Sequence, residues 1–159
     1  MASTKQSLGA LTNFTITLAS LADASAREST SVDNSSNLFL DASIYLALTL
    51  AAGQPADEQV INIYFYSSVD GTNFDDNATG ADAALTLRTP SNFKGPHVIN
   101  CPDSGGVAWK SMIPSVAYFF NGILPVEWGI IVENQSGLAF DSTAGNHTAK
   151  YRGIFAAGT

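Results

Sequence analysis

The sequence is short of charge and of the residue types on which covalent, redox and metal chemistry usually draw. Its 159 residues include seven Lys and Arg, two His, two Met and one Cys. A lone cysteine, Cys101, excludes an intrachain disulfide, and its Pro- and Gly-rich surroundings supply neither a second metal ligand nor a base. Seven cations against fourteen Asp and Glu leave a net charge of −7. No Lys/Arg cluster offsets that repulsion locally, so nucleic acid is not an expected partner. No apolar run approaches the roughly 20 residues of a membrane-crossing helix. The longest, from Ile44 to Gly53, is interrupted by Thr49, and no membrane partner is expected. The opening MASTKQSLGALTNF lacks an apolar block followed by a small-residue cleavage site, which points to a native start and folding in a cytoplasm.

Catalytic constellations are equally scarce. His97 follows Gly-Pro and His147 lies in a turn-rich stretch, and no G-x-S-x-G elbow presents a serine to either. Asp70, Asp75, Asp76 and Asp82 crowd one segment, but their spacing is not that of a calcium loop, and Asp in such company favours turns through its own backbone hydrogen bonds. No enzyme, cofactor or metal site is expected. The five Asn-x-Ser/Thr triplets, at Asn13, Asn34, Asn77, Asn134 and Asn146, come without an export signal and are read as chance.

What the chain has in abundance is alternation. From Leu38 to Leu50 the even-numbered residues Leu38, Leu40, Ala42, Ile44, Leu46, Leu48 and Leu50 fall on one side of an extended chain. VINIYFY from Val60 to Tyr66 alternates Ile61, Ile63 and Phe65 with Asn62, Tyr64 and Tyr66, and Asp70-Gly71 follows as a turn. Phe14, Ile16 and Leu18 predict a first strand, because Thr and Ile pack well on a pleated surface. Further strands are expected near 84–88, 94–100, 107–112, 116–120, 126–133 and 149–155, separated by Gly and Pro. The expectation is an all-β protein with little or no helix, an antiparallel β-sandwich of jelly-roll type. Residues 1–10 read as an N-terminal arm and 11–159 as one domain, long enough to bury roughly 70% of its unfolded surface.

The aromatic residues are the candidates for a function. Tyr64 and Tyr66 share the outer side of one strand, and Tyr118, Phe119 and Phe120 place rings on both sides of another, so something must cover them. Either the domain covers them itself, or a partner does. Arg27, beside Glu28 and near Asp33 and Asp41, either closes a local salt bridge or reaches a partner's carboxylate.

Several blocks in order, FTITLASLADASARESTSVDNSSNLFLDASIYLALTL, INIYFYSSVDGTNFDD with TGADAALTL, NGILPVEWGIIVENQSG and STAGNHTAKYRGIF, resemble small structural proteins of tailed-bacteriophage virions. The most specific parts are Arg27-Glu28-Ser29-Thr30 with Val32-Asp33-Asn34, and Trp128-Gly129 with Glu133-Asn134. The resemblance implies a β-sandwich decoration or cement protein on the capsid surface, made in the bacterial host cytoplasm. It would bind the major capsid protein and its own copies, often as a trimer, and stabilise the shell by bridging capsid subunits. The rival expectation is a tail or neck module that binds a receptor or carbohydrate, for which Asn73, Phe74, Asp75 and Asp76 offer an aromatic beside polar groups.

Overall fold

The computed structural model describes residues 4–56, 58–102 and 105–158. Ten strands make up nearly half of them: β1 Thr4–Asn13, β2 Ser25–Glu28, β3 Val32–Asp33, β4 Asp41–Thr49, β5 Val60–Ser68, β6 Ala83–Leu85, β7 Lys94–Asn100, β8 Ala108–Ile113, β9 Glu127–Gln135 and β10 Thr148–Gly158. They form two antiparallel sheets packed face to face, a β-sandwich. Sheet A runs β1-β10-β4-β8, and sheet B runs β6-β2-β9-β5-β7 with β3 beside β9.

Period-two patterning decides which side of each strand is buried. Ala42, Ile44, Leu46 and Leu48 of β4 meet Ile61, Ile63 and Phe65 of β5 and Trp128, Ile130 and Val132 of β9 in the main core. Trp128 is fully buried, with Phe14 and Tyr151 edge-on to it at 5.8 and 5.6 Å. A second, smaller core lies on the far side of sheet B, where the excursion of residues 69–93 folds back and buries Ala26, Tyr66, Leu85, Phe93 and Ile131. This is why β5 is apolar on both sides: one serves the sandwich and the other the excursion.

Three expectations for strands are corrected. The alternation from Leu38 does not run through as one strand, because Asp33 caps a short helical turn, α1 Asn34–Asn37, by accepting from the Ser35 amide at 2.7 Å. Leu38 then takes a left-handed conformation (φ 53°), and Leu38 and Leu40 end exposed where the pattern placed them inside. Residues 117–120 form a 3-10 turn, Ala117–Phe120, in place of a strand. At the N-terminus the strand is Thr4–Asn13, and Phe14 to Leu18 is an irregular connection that still buries Phe14 and Leu18 in the core. Residues 4–10 of the expected arm are therefore paired strand, and residues 1–3 lie outside the described residues. Beyond the Ile154–Asp41 pair, β10 continues to Gly158 with only β1 beside it, so these two strands leave the sheet as a ribbon.

Candidate binding surface

The groups that chemistry or ion binding would need are engaged in holding the fold. His97 of β7 and Ser111 of β8 lie 2.7 Å apart (Nε2 to Oγ) and tie the edge of one sheet to the edge of the other. Among the described residues no carboxylate bonds that imidazole, and burial lowers its pKa, keeping it neutral. His147 Nε2 lies 2.9 Å from the Asp141 carbonyl while its Nδ1 accepts from the Thr49 amide at 3.4 Å, so the ring serves as a brace. Cys101 is buried, and burial pushes its thiol up.

The carboxylates of the Asp-rich segment are turn-formers. Asp70 Oδ1 accepts the amides of Asn73 and Thr72 at 2.8 and 2.9 Å, and these bonds hold its carboxyl far below the usual range. Asp75 accepts the Ser67 amide and hydroxyl, and Asp76 takes the Asn92 amide, the Asn92 side chain and the Ser91 hydroxyl. No group of three or more potential metal ligands occurs among the described residues. Phe74, the aromatic of the rival sugar site, packs edge-on to Tyr66 at 5.8 Å and against Gly80, where a Cβ would sit 2.4 Å from its ring.

The candidate interface residues separate sharply. Arg27 Nε donates to Asp82 Oδ1 at 2.5 Å, and Thr17 adds its amide and hydroxyl to the same carboxylate. Burial would raise the Asp82 carboxyl, but the bonds from Arg27 and Thr17 outweigh it and hold it below its ordinary value. The sequence neighbours Glu28, Asp33 and Asp41 are not its partners. Glu28 is buried and accepts the amide and hydroxyl of Thr79. Tyr66 is buried too, its hydroxyl donating to the Ser29 carbonyl at 2.6 Å, and Gly129 is what makes room for it: a Cβ there would lie 2.3 Å from the Tyr66 ring. Tyr64 is half-buried, donating weakly to Glu133 at 3.4 Å. Phe119 stacks on Phe65 at 4.3 Å and Phe120 meets it edge-on at 6.4 Å. Tyr118 alone of the seven is open, 77% exposed.

Two surfaces carry most of the exposed large apolar side chains, and of these the sequence had named only Tyr118 as an interface candidate. The first is the outer side of sheet A. Register places Leu8 beside Ile154, Leu11 beside Arg152, and Tyr45 between Lys150 and Met112, with Ala47 next to Lys110. Leu8, Leu11 and Met112 are 58%, 51% and 66% exposed. Leu11, Tyr45, Met112 and Arg152 line a shallow hollow of about 250 Å³, and Leu40, Ile154, Phe155 and Ala156 line another of about 320 Å³. Lys110, Lys150 and Arg152 oppose only Asp41 on this side, and Asp41 is engaged with the amides of Ala42 and Ala117. A chain of total charge −7 thus has one sheet face with a positive balance. The second group lies on α1 and on the 117–126 segment: Asn34 N donates to Val126 O, and Ala117 N donates to Asp41 at the start of β4. Leu38, Tyr118, Ile123 and Val126 are exposed there, with Asp33 at the edge.

No helix among the described residues is long and apolar enough to cross a membrane. Comparison of the chain with protein-family models, with curated proteins and with solved structures finds no match.

Proposed function

We propose that this chain is a non-enzymatic binding module of a phage particle, a capsid decoration or cement protein that adheres to the major capsid protein and stabilises the shell by bridging its subunits. The observation that carries this reading is the bare outer side of sheet A. It is an ordered, strand-built surface with exposed Leu8, Leu11 and Met112 that nothing among the described residues covers. Contiguous exposed apolar surface rimmed by charge is what a protein-binding face presents. The titratable groups that could do chemistry are meanwhile satisfied by turns, braces and inter-sheet bonds.

Topology supports the same reading. With the short β3 and β6 set aside, the remaining eight strands, counted in chain order, lie as 1-8-3-6 in sheet A and 2-7-4-5 in sheet B. That alternation between sheets supports the jelly-roll reading, an architecture found in viral capsid domains as well as in lectins. The blocks that resemble phage virion proteins fit as well: Arg27 and Glu28 pin the 69–93 excursion to β2, and Trp128-Gly129 serves both cores, so the resemblance falls on what builds the domain.

The test is co-sedimentation of the purified chain with expanded capsids, with copy number counted by quantitative mass spectrometry of virions. A cement protein binds in multiples of the lattice positions and delays capsid rupture on heating. A few copies per particle, or no gain in shell stability, contradicts the proposal.

A further inference from the structure

We infer that the hollow around Arg152 on the outer side of sheet A is a carboxylate subsite, which takes an Asp or Glu side chain of the major capsid protein. The inference rests on the reading of sheet A as the capsid-binding face and names the chemistry that this face recognises. Register builds the hollow. Arg152 of β10 lies between Leu11 of β1 and Ser43 of β4, and in the next row of the same side Tyr45 lies between Lys150 and Met112. At about 250 Å³, the hollow is smaller than the roughly 300–1,000 Å³ of small-molecule pockets. It suits one side chain of a partner.

Charge sets the sign of that side chain. Among the described residues Arg27 closes a salt bridge with Asp82, while Lys110, Lys150 and Arg152 close none. The one carboxylate on their side of the sheet, Asp41, is spent on two backbone amides. A chain of net charge −7 thus holds an uncompensated positive patch, and what compensates it comes from outside. The sequence offered Arg27 as the cation that reaches a partner's carboxylate; the fold commits Arg27 to its own chain and leaves Arg152 for that task.

The unpaired atom sets the chemical class. Arg152 Nε is buried and has no hydrogen-bond partner, although a buried N–H is normally paired and an unmade bond is costly. Nε is covered in the free chain, so the side chain must turn outward to offer its Nε–Nη edge. No hydrogen bond holds Nε back, which lowers the cost of that turn. The planar edge of a guanidinium matches the two oxygens of a carboxylate, bond for bond. Leu11 and Met112 beside it would shed water on contact and strengthen the pair in a drier setting. That apolar margin fits a protein side chain. A nucleic acid backbone would instead meet the acidic remainder of the chain on either side of the patch.

Carbodiimide cross-linking, which joins an amine to a carboxylate only where the two touch, reads the subsite on capsids carrying the bound protein. Mass spectrometry is expected to find Lys150 or Lys110 joined to an Asp or Glu of the capsid protein. Arg152→Gln should weaken capsid binding by about thirtyfold while keeping native circular dichroism and an unchanged melt. Arg152→Lys should recover only part of the loss, because a point charge does not make the paired bonds of the fork. Arg88→Gln removes the same charge beside Asp76 and should bind as wild type does. Capsids whose carboxylates have been converted to neutral amides should bind wild type and Arg152→Gln equally. Cross-links through Lys94 of β7 in place of Lys110 and Lys150 overturn the inference, as do full binding by Arg152→Gln and amidated capsids that still prefer wild type by the full factor. Retention of wild type on duplex DNA through Arg152 at physiological salt would put a phosphate in the subsite and overturn it too. Binding of the wild type to capsids separates these failures from that of the proposed function. If wild type and Arg152→Gln stabilise the shell alike, the decoration reading stands without the subsite, whereas a wild type that ignores capsids removes both.

Discussion

The outer sides of the two sheets start from similar material and end differently. Each carries aromatic or large aliphatic residues at alternate positions: Tyr64, Tyr66 and Ile131 on sheet B, and Leu8, Leu11, Tyr45 and Met112 on sheet A. Sheet B is roofed by its own chain, since residues 69–93 fold over it and Phe93, Leu85 and Phe74 close on Tyr66. Polar bonds fix that roof: Thr79 to Glu28 and Arg27 to Asp82 tie it to β2, and Asn92 to Asp76 braces it internally. Among the described residues sheet A has no roof. What lies over its strands is solvent, three cations and two shallow hollows. An apolar sheet face is thus stabilised from within in one case and left for another molecule in the other, and polar bonds to a covering loop are what distinguish the two.

Truncation tests this contrast with the largest effect. Phe93→Ala or Tyr66→Ala empties the second core and should cost about 3–5 kcal/mol in urea unfolding, whereas Leu11→Ser or Met112→Ser should stay within about 0.5 kcal/mol for the dissociated chain. Equal losses on both sides would mean that sheet A's outer residues are core after all. Next in size is Gly129→Ala. The added methyl would sit 2.3 Å from the Tyr66 ring, and overpacking of that kind costs about 1–3 kcal/mol. Gly145→Ala, with nothing within 4 Å, serves as the silent control.

Tyr66→Phe is smaller again. It removes the hydroxyl that donates to Ser29 O, and about 1–2 kcal/mol is expected because the buried carbonyl loses its partner. Smallest is the response to acid, which should come in two stages. Burial lowers the pKa of His97 below its ordinary 6.5, so the unfolded chain takes up that proton first; stability is full above that pH and declines as pH falls through the folded value. Asp82, Asp76 and Asp141 are held below the ordinary 3.8, so their contribution is present above about pH 4 and is lost below it. Thermal melts across this range check both, and His97→Gln should abolish the first stage alone.

Sheet membership of the long strands was legible in the sequence because alternation survives wherever one side is buried, as in β4, β5 and β9. It failed where a local polar group took over the backbone. The Asp33 cap turned the chain before Leu38, and the Tyr118 to Phe120 rings found Phe65 from a tight turn. The short strands β2 and β3 are rich in polar residues and gave no periodic signal, although Arg27 and Glu28 did mark the place where distant segments are pinned. The aromatic residues drew attention to the outer side of sheet B, which the chain covers itself. Tyr64 and Tyr66 are conspicuous in sequence, but only tertiary structure reveals that residues 69–93 return to cover them. Leu8 and Leu11 of β1 lie far in sequence from Met112 of β8, and only register places them on one side of one sheet.

Oxidative footprinting of Met112 in the free, diluted chain and in the assembled particle tests the central claim most directly. At 66% exposure in the single chain its thioether is open to oxidant. If sheet A's outer side is the binding face, assembly protects Met112 and Leu11 strongly while Tyr66 and Phe93, already enclosed, do not change. Met112 oxidised at the same rate in both states would contradict it.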